Sequence, residues 1–281
     1  MSRKRQPKPK ALIDVVIPVL GRFDLLAKCL DALPEAFGEH PYRVYIFDNG
    51  SEKAEANEFY AKLDLSKHSV IRYSTNVGFP RACNIAFGKG RSPLAFFLNS
   101  DVILSPGSVD YLVRAMDDPK TAVAGMKLLF PSEQATQEAE LTTGNRPGNT
   151  LQHICLAVDI KGMIGHAFVG WDADHPKVVN IKHTFPGMMV TGAALLTRRE
   201  VFRKAKMFDE DFSPGTFEDC SFCLTVQEMG YNVVTVPEAV GVHYTNATAE
   251  QLKIGFPIQE NYYKFIQKWR GKIKQTDIEV L

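Results

Sequence analysis

At 281 residues, 45% hydrophobic and 23% charged, the chain has ordinary globular composition and can bury a core in one large domain or two small ones. A formal net charge of +1 excludes a global electrostatic signal for nucleic acid or an acidic partner, so no nucleic-acid partner is expected. No stretch approaches the roughly 18–20 apolar residues of a membrane span, and no charged-then-apolar leader is present, so a cytoplasmic protein is expected.

Met1–Lys10 is basic and proline-containing and reads as a disordered arm. Its sharper reading is a weak peripheral contact with anionic lipid at the inner face of a membrane, where each Lys or Arg adds about 1 kcal/mol. Leu12–Leu20 reads as a buried strand, and Phe23, Leu26, Leu30 and Leu33 at helical spacing predict a helix that Pro34 stops. Tyr42–Phe47 is a second strand running into the turn sequence Asp48-Asn49-Gly50-Ser51. Glu52–Leu63 follows as an amphipathic helix and Val70–Tyr73 as a third strand. Pro80 opens the next helix and Gly88 closes it. Leu94–Leu98, an apolar run between Ser92-Pro93 and Asn99, predicts a strand buried on both faces. After Pro106-Gly107, Val109, Leu112, Val113 and Met116 line one helix face. This alternation predicts an α/β fold, a mostly parallel sheet with helices on both sides.

The second half is less regular. Ala122–Phe130 reads as a strand, and residues 131–186 are loop-rich. Met188–Leu196 is an apolar run containing Gly192, and a short helix lies near Arg199–Lys204. Glu218–Met229 is a helix closed by Gly230, Val233–Val236 a strand, and Ile258–Trp269 a helix with Ile258, Tyr262, Phe265, Ile266 and Trp269 on one stripe. Cys29, Cys83 and Cys155 sit in apolar surroundings, as reduced buried thiols do. Cys220 and Cys223 form a CxxC with no second ligand pair nearby, which argues against zinc. His153, His166, His175 and His183 fit no compact ligand spacing and read as scattered histidines. Trp171 is either a sugar-stacking platform or a ring buried under a loop. Asn246-Ala247-Thr248 matches a glycosylation sequon but has no leader before it.

Several sites are missing: a GxxxxGK[ST] phosphate loop, a GxGxxG after the first strand, and a GxSxG elbow. What remains is a set of polar residues at the carboxyl ends of predicted strands, namely Asp48, Asn99, Asp101 and His243, with Glu218-Asp219 at the start of a helix. Ligands of open α/β sheets bind outside those strand ends, and a buried apolar strand that ends in an acid presents the carboxylate to something. Read locally, Asp48 can also be an Asx-turn, Asp101 a turn aspartate before Pro106, and Glu218-Asp219 a complement to the helix N-terminus.

The pieces Val15-Val16-Ile17-Pro18-Val19, Asp48-Asn49-Gly50-Ser51, Asn76-Val77-Gly78-Phe79-Pro80-Arg81, Phe97-Leu98-Asn99-Ser100-Asp101-Val102, Val190-Thr191-Gly192-Ala193 and Phe217-Glu218-Asp219 occur in this order between residues 12 and 245. As an ordered set they resemble the GT-A-fold, inverting family 2 glycosyltransferases of the rhamnosyltransferase-like and cell-surface-glycan type. The resemblance implies a Rossmann-like sheet with a smaller mixed sheet on the acceptor side. It implies one domain over 11–250, with 11–125 its nucleotide-binding half and 126–250 its acceptor and catalytic half, and a helical extension over 251–281.

The resemblance makes Asn99-Ser100-Asp101 the counterpart of a DxD motif, with Asp101 and His243 as ligands of Mn²⁺ or Mg²⁺. Such a cation would hold the diphosphate of a UDP- or dTDP-linked sugar. It assigns Pro18 and Val19 to the base floor, Asp48 to the base edge, Arg81 to the nucleotide and Asn99 to the ribose or the metal shell. Asp219 becomes the general base, with Glu218 supporting it, and the acceptor is a glycan or lipid-linked saccharide. Both acids are expected to be ionised at the helix N-terminus. Where relatives often continue Glu-Asp-x-Asp, this chain has Ser221. A non-catalytic nucleotide-sugar or glycan-binding module and a sugar-1-phosphate nucleotidyltransferase are the competing readings; Pro18-Val19-Leu20-Gly21-Arg22 is a poor phosphate loop for the latter.

Overall fold

β1 (Ile13–Val19) is buried at every position, and the rest of the sheet is laid down on either side of it. A computed structural model of the chain describes residues 12–132, 149–159, 162–244, 255 and 257–273. The basic arm at 1–10 and the Asn246 sequon lie outside the described residues. β2 (Tyr42–Asn49) pairs parallel with β1, β3 (His68–Tyr73) parallel with β2, and β4 (Leu94–Leu98) parallel with the other edge of β1. Parallel neighbours need crossovers, and α1 (Phe23–Phe37), α2 (Lys53–Ala61) and α3 (Phe79–Phe87) supply them. All four strands therefore end on one edge, where Val19 is the register partner of Asp48.

The same sheet continues through β5 (Val102–Leu104), β6 (Thr121–Leu129), β7 (Leu151–His153), β10 (Ala194–Arg198) and β11 (Asn232–His243), with α4 (Ser108–Ala115) packed on it. Its order is β3-β2-β1-β4-β10-β6-β11-β5, with β7 on β6. β10 runs antiparallel to both of its neighbours, β5 to β11 and β7 to β6, while the other six strands share one direction, so the sheet is mostly parallel. The division expected at 125/126 falls inside β6, and both halves share this one sheet. The second, smaller sheet is the antiparallel hairpin of β8 (Leu156–Val158) and β9 (Ile164–His166). A short α5 (Pro176–Val179) follows the hairpin. α6 (Arg199–Lys204) and α7 (Glu218–Glu228) then cover the face opposite α1 and α4, and α8 (Ile258–Trp269) packs beside them. Between α3, α6, α7 and β4, Phe87, Phe97, Phe202, Phe208 and Phe222 stack edge to face, with Phe97 and Phe202 centroids 4.7 Å apart.

Three expectations are corrected. α1 does not stop at Pro34 but runs to Phe37. Proline there removes only one bond in the last turns, and burial of Ala36 and Phe37 outweighs it. Of the apolar run Met188–Leu196, Ala194–Leu196 join β10, Met189 bridges to Leu156, and Gly192 and Ala193 form a turn. β11 is 12 residues long rather than four, because Pro237 sits at a register irregularity between Val236 and Val240. The buried stripe of α8 includes Asn261 as well as Phe265 and Trp269, while Ile258 is 58% exposed. Asn261 turns inward because its amide donates to the carbonyls of Phe212 and Gly215, both at 2.8 Å.

One buried ion pair ties distant parts of the chain together. Arg199, at the start of α6, donates to Asp14 of β1 at 2.7 Å and to the carbonyls of Ser92 and Phe87. Asp14 also accepts from the Ser92 amide at 2.8 Å and hydroxyl at 2.6 Å. Removing one partner strands the other charge in the interior, so Asp14→Ala is expected to cost about 3–5 kcal/mol in urea unfolding. A loss below about 1 kcal/mol, the exposed-pair range, would show that the pair is not shielded from water.

Candidate active site

The carboxyl-terminal edge of the sheet is built here from the ends of β1 and β2. Pro18 and Val19 are buried in β1. Asp48 is also buried; its Oδ1 accepts the Ser51 amide at 2.9 Å and its Oδ2 the Arg72 guanidinium at 3.0 Å. The Asx-turn and an ion pair thus hold the carboxylate. Ser51 Oγ accepts from the Gly21 amide at 2.8 Å, closing the turn after β2 against the end of β1. Arg81 is exposed in the first turn of α3, with its Nε 4.0 Å from Glu210 Oε2.

β4 ends at Leu98, and the turn Asn99-Ser100-Asp101 leads into β5. Val102 is the register partner of His243 on β11, and the Tyr244 amide donates to the Asp101 carbonyl at 3.0 Å. This pairing brings Asp101 and His243 together, Oδ1 to Nε2, at 3.3 Å, each side chain 11% exposed. Gln152 fixes the ring: its amide nitrogen donates to the His243 carbonyl at 3.2 Å, and its Oε1 lies 2.7 Å from His243 Nδ1. Nδ1 therefore carries the ring proton in the neutral form, and the Nε2 lone pair faces the Asp101 carboxylate. Two acceptors aimed at each other suit a divalent cation, and the residues fit one. Among the described residues no group of three or more His, Cys, Asp or Glu could hold a metal ion. The protein would thus supply two ligands, and diphosphate oxygens and water the rest.

The segment Thr191-Gly192-Ala193 joins this pair to the second acid. The Ala193 carbonyl accepts the Asn99 amide at 2.8 Å, the Gly192 amide donates to Asp219 Oδ2 at 2.8 Å, and the Thr191 amide donates to His153 Nε2 at 3.2 Å. Asp219 Oδ1 accepts the Cys220 amide at 2.7 Å. The turn presenting Asp219 is strained: Thr216 and Phe217 have φ of 84° and 71°, positions that a β-branched or bulky residue adopts only when the surroundings enforce it. Asn261 supplies that enforcement through its bonds to Phe212, Gly215 and the Thr216 hydroxyl.

The two acids of α7 have different surroundings. Glu218 is 5% exposed, and its Oε2 is buried with no partner among the described residues. Burial, with the charge of Asp219 second, raises its carboxyl well above the usual range, against the expectation that the helix N-terminus favours its ionised form. Its raised folded-state pKa means that folded protein holds a proton the unfolded chain releases. Stability from this group is therefore full below the ordinary Glu range and falls as pH rises through the folded value. Glu218→Gln is expected to lack that fall: the wild-type-minus-variant stability difference becomes more negative from pH 4 to pH 8. A flat difference in urea titrations would show Glu218 to be ionised.

His153 and His166, read in the sequence as scattered, form a pair with Nδ1 atoms 2.9 Å apart. The pairing follows from the return of the β8–β9 hairpin beside β7, which spacing does not reveal. His175 caps α5 through the Lys177 amide, and His183 lies 3.2 Å from the Thr235 carbonyl. Trp171 packs edge-on against Phe168 and His175. All five cysteines are free and buried. Cys223 Sγ donates to the Val190 carbonyl, and burial pushes the Cys155 thiol up to about 12.

The chain was compared with known proteins. It is 24% identical over 241 residues to the O-antigen biosynthesis protein RfbC of Myxococcus xanthus, covering 84% of this chain and 17% of that protein. It is 22% identical over 243 residues to protein y4gI of Sinorhizobium fredii, covering 84% of this chain and 25% of that protein. The chain thus spans a quarter or less of the curated relatives it matches over most of its length. In fold it is similar to GalNAc-T7, crystallised with UDP, GalNAc and Mn²⁺ (TM-score 0.64, 15% identity, 95% of this chain and 49% of that one). It is also similar to the mannosyltransferase PcManGT of Pyrobaculum calidifontis, in complex with GDP-Man and Mn²⁺ (TM-score 0.55, 13% identity, 94% and 72%). The family model for glycosyl transferase family 2 matches residues 14–176, from β1 to the start of α5, and the chain belongs to that family of transferases, with the GT-A fold.

Proposed function

We propose that the protein is a metal-dependent, inverting glycosyltransferase that moves a sugar from a UDP- or dTDP-linked donor to a glycan or lipid-linked acceptor in surface-polysaccharide biosynthesis. One observation carries this reading: residues 191–193 hydrogen-bond to the Asn99 turn and to Asp219, so the Asp101–His243 pair and the Asp219 carboxylate are tied to one short backbone segment. The RfbC likeness supports the polysaccharide context, and neighbours crystallised with Mn²⁺ and nucleotide-sugars support the donor class. The basic arm at Met1–Lys10 adds a weak contact with anionic lipid in this scheme.

Asp48 and the backbone of Pro18 and Val19 bind the base, with Arg81 and Asn99 beside the nucleotide. Asp101 and His243 would hold the cation, whose positive charge would offset that of the donor's diphosphate. Asp219 accepts the proton of the acceptor hydroxyl as that oxygen attacks the anomeric carbon opposite the diphosphate. Two backbone N–H bonds, from Gly192 and Cys220, fix the Asp219 carboxylate in place. Glu218, buried one residue earlier in α7, supports it from within.

The test is thermal stabilisation across UDP-, dTDP- and GDP-linked sugars with and without Mn²⁺, followed by assay of released nucleotide. The expected result is Mn²⁺-dependent stabilisation by a UDP- or dTDP-sugar, about 2.7 kcal/mol at one hundred times Kd. Asp219→Asn should lower turnover about 10²–10⁴-fold with donor binding kept, and Asp101→Ala should remove the Mn²⁺ dependence. Stabilisation by GDP-mannose alone would overturn the base assignment. Unchanged turnover in Asp219→Asn would overturn the mechanism.

A further inference from the structure

The histidine pair has a direction. The Thr191 amide can only donate, so His153 Nε2 is an acceptor. A neutral His153 then carries its proton on Nδ1, and the atom facing it 2.9 Å away, His166 Nδ1, must accept. His166 is left as the neutral tautomer with its proton on Nε2. Protonating either ring would set two N–H groups against each other. Burial lowers both pKa values in agreement, that of His153 well below the usual range. The chain of bonds starts at the segment that also holds Asp219, so the tautomer and the base are fixed by the same backbone.

His166 ends β9; its surface is partly open to solvent, yet the protein packed around the ring desolvates it, and no described residue partners its Nε2. The Asp219 carboxylate and the His243 ring both act on it electrostatically, one from the base side and one from the cation side. The imidazole therefore lies within electrostatic range of both Asp219 and the cation ligand His243. We propose that His166 donates its Nε2–H to an oxygen of the transferred sugar and so helps select the donor, with His153 as the positioning residue that locks its tautomer. This assignment rests on the transferase reading. It adds a contact to the sugar that is independent of the nucleotide, and a site built to donate to an oxygen discriminates against sugars lacking it.

The test measures affinities for UDP and dTDP and for UDP-glucose, UDP-N-acetylglucosamine and dTDP-rhamnose, all with Mn²⁺, in wild type, His166→Ala and His166→Gln. His166→Ala should weaken the accepted nucleotide-sugar by about tenfold while leaving the free nucleotide within about twofold. His166→Gln, which retains an N–H donor, should recover most of the loss. In wild type, two-bond ¹⁵N–¹H spectra of labelled histidines should show His153 protonated on Nδ1 and His166 on Nε2 at pH 7. Equal weakening of nucleotide and nucleotide-sugar, or no weakening, would overturn the contact, and a His166 proton on Nδ1 would overturn the relay. If wild type binds neither nucleotides nor nucleotide-sugars, the transferase reading itself fails and this inference falls with it.

Discussion

The structure turns on three backbone groups in a row. The Thr191 amide, the Gly192 amide and the Ala193 carbonyl bond to His153, Asp219 and the Asn99 amide, which come from β7, α7 and the end of β4. Side chains can rotate away from a partner, but a peptide group moves only with its chain, so three such bonds hold three elements in one arrangement. The segment lies close on the sheet because Gly125 of β6 sits beneath Val190, where a Cβ would collide with the valine side chain. Gly192 itself packs against Asp219 and Phe79. The missing side chain at Gly125 is what lets the segment carrying the Gly192–Asp219 bond lie on the strand.

Around that segment, carboxylates of one chemical type are given different work by their surroundings. Asp14 is neutralised by Arg199 and holds the fold. Asp48 is held by Arg72 and its own turn. Asp101 faces an imidazole lone pair, an arrangement that invites a cation. Asp219 receives two backbone N–H bonds, while Glu218, one residue earlier in the same helical turn, is buried with no partner on Oε2 among the described residues, and burial raises its carboxyl well above the usual range. Glu218 lies at the helix N-terminus, whose dipole favours the ionised form, so its raised carboxyl shows burial outweighing the dipole there.

How much of this was legible in the sequence depends on how local each signal is. The apolar run Leu94–Leu98 and the acids placed after strands were readable because burial on both faces leaves a run with no alternation. The roles expected of the Asn99–Asp101 turn and of Glu218-Asp219 came from the ordered set of motifs and its resemblance to a family, not from the burial pattern. The His153–His166 pair was not readable: it depends on hairpin geometry and on a peptide N–H from residue 191, neither of which leaves a mark in residue spacing. Asn261 was hidden for a related reason, since a polar residue on an amphipathic helix reads as solvent-facing until the turn it supports is known. Pro34 was read too strongly, because proline near a helix end costs little once the following residues are buried.

The central claim is that a cation between Asp101 and His243 and the Asp219 carboxylate open onto one cavity. The most direct measurement is an anomalous-difference map from crystals grown with Mn²⁺ and UDP. The account predicts a manganese peak in contact with Asp101 Oδ1 and His243 Nε2, with the diphosphate bound to it and Asp219 facing the same space. A peak at any other residues, or one separated from Asp219 by protein, would contradict it.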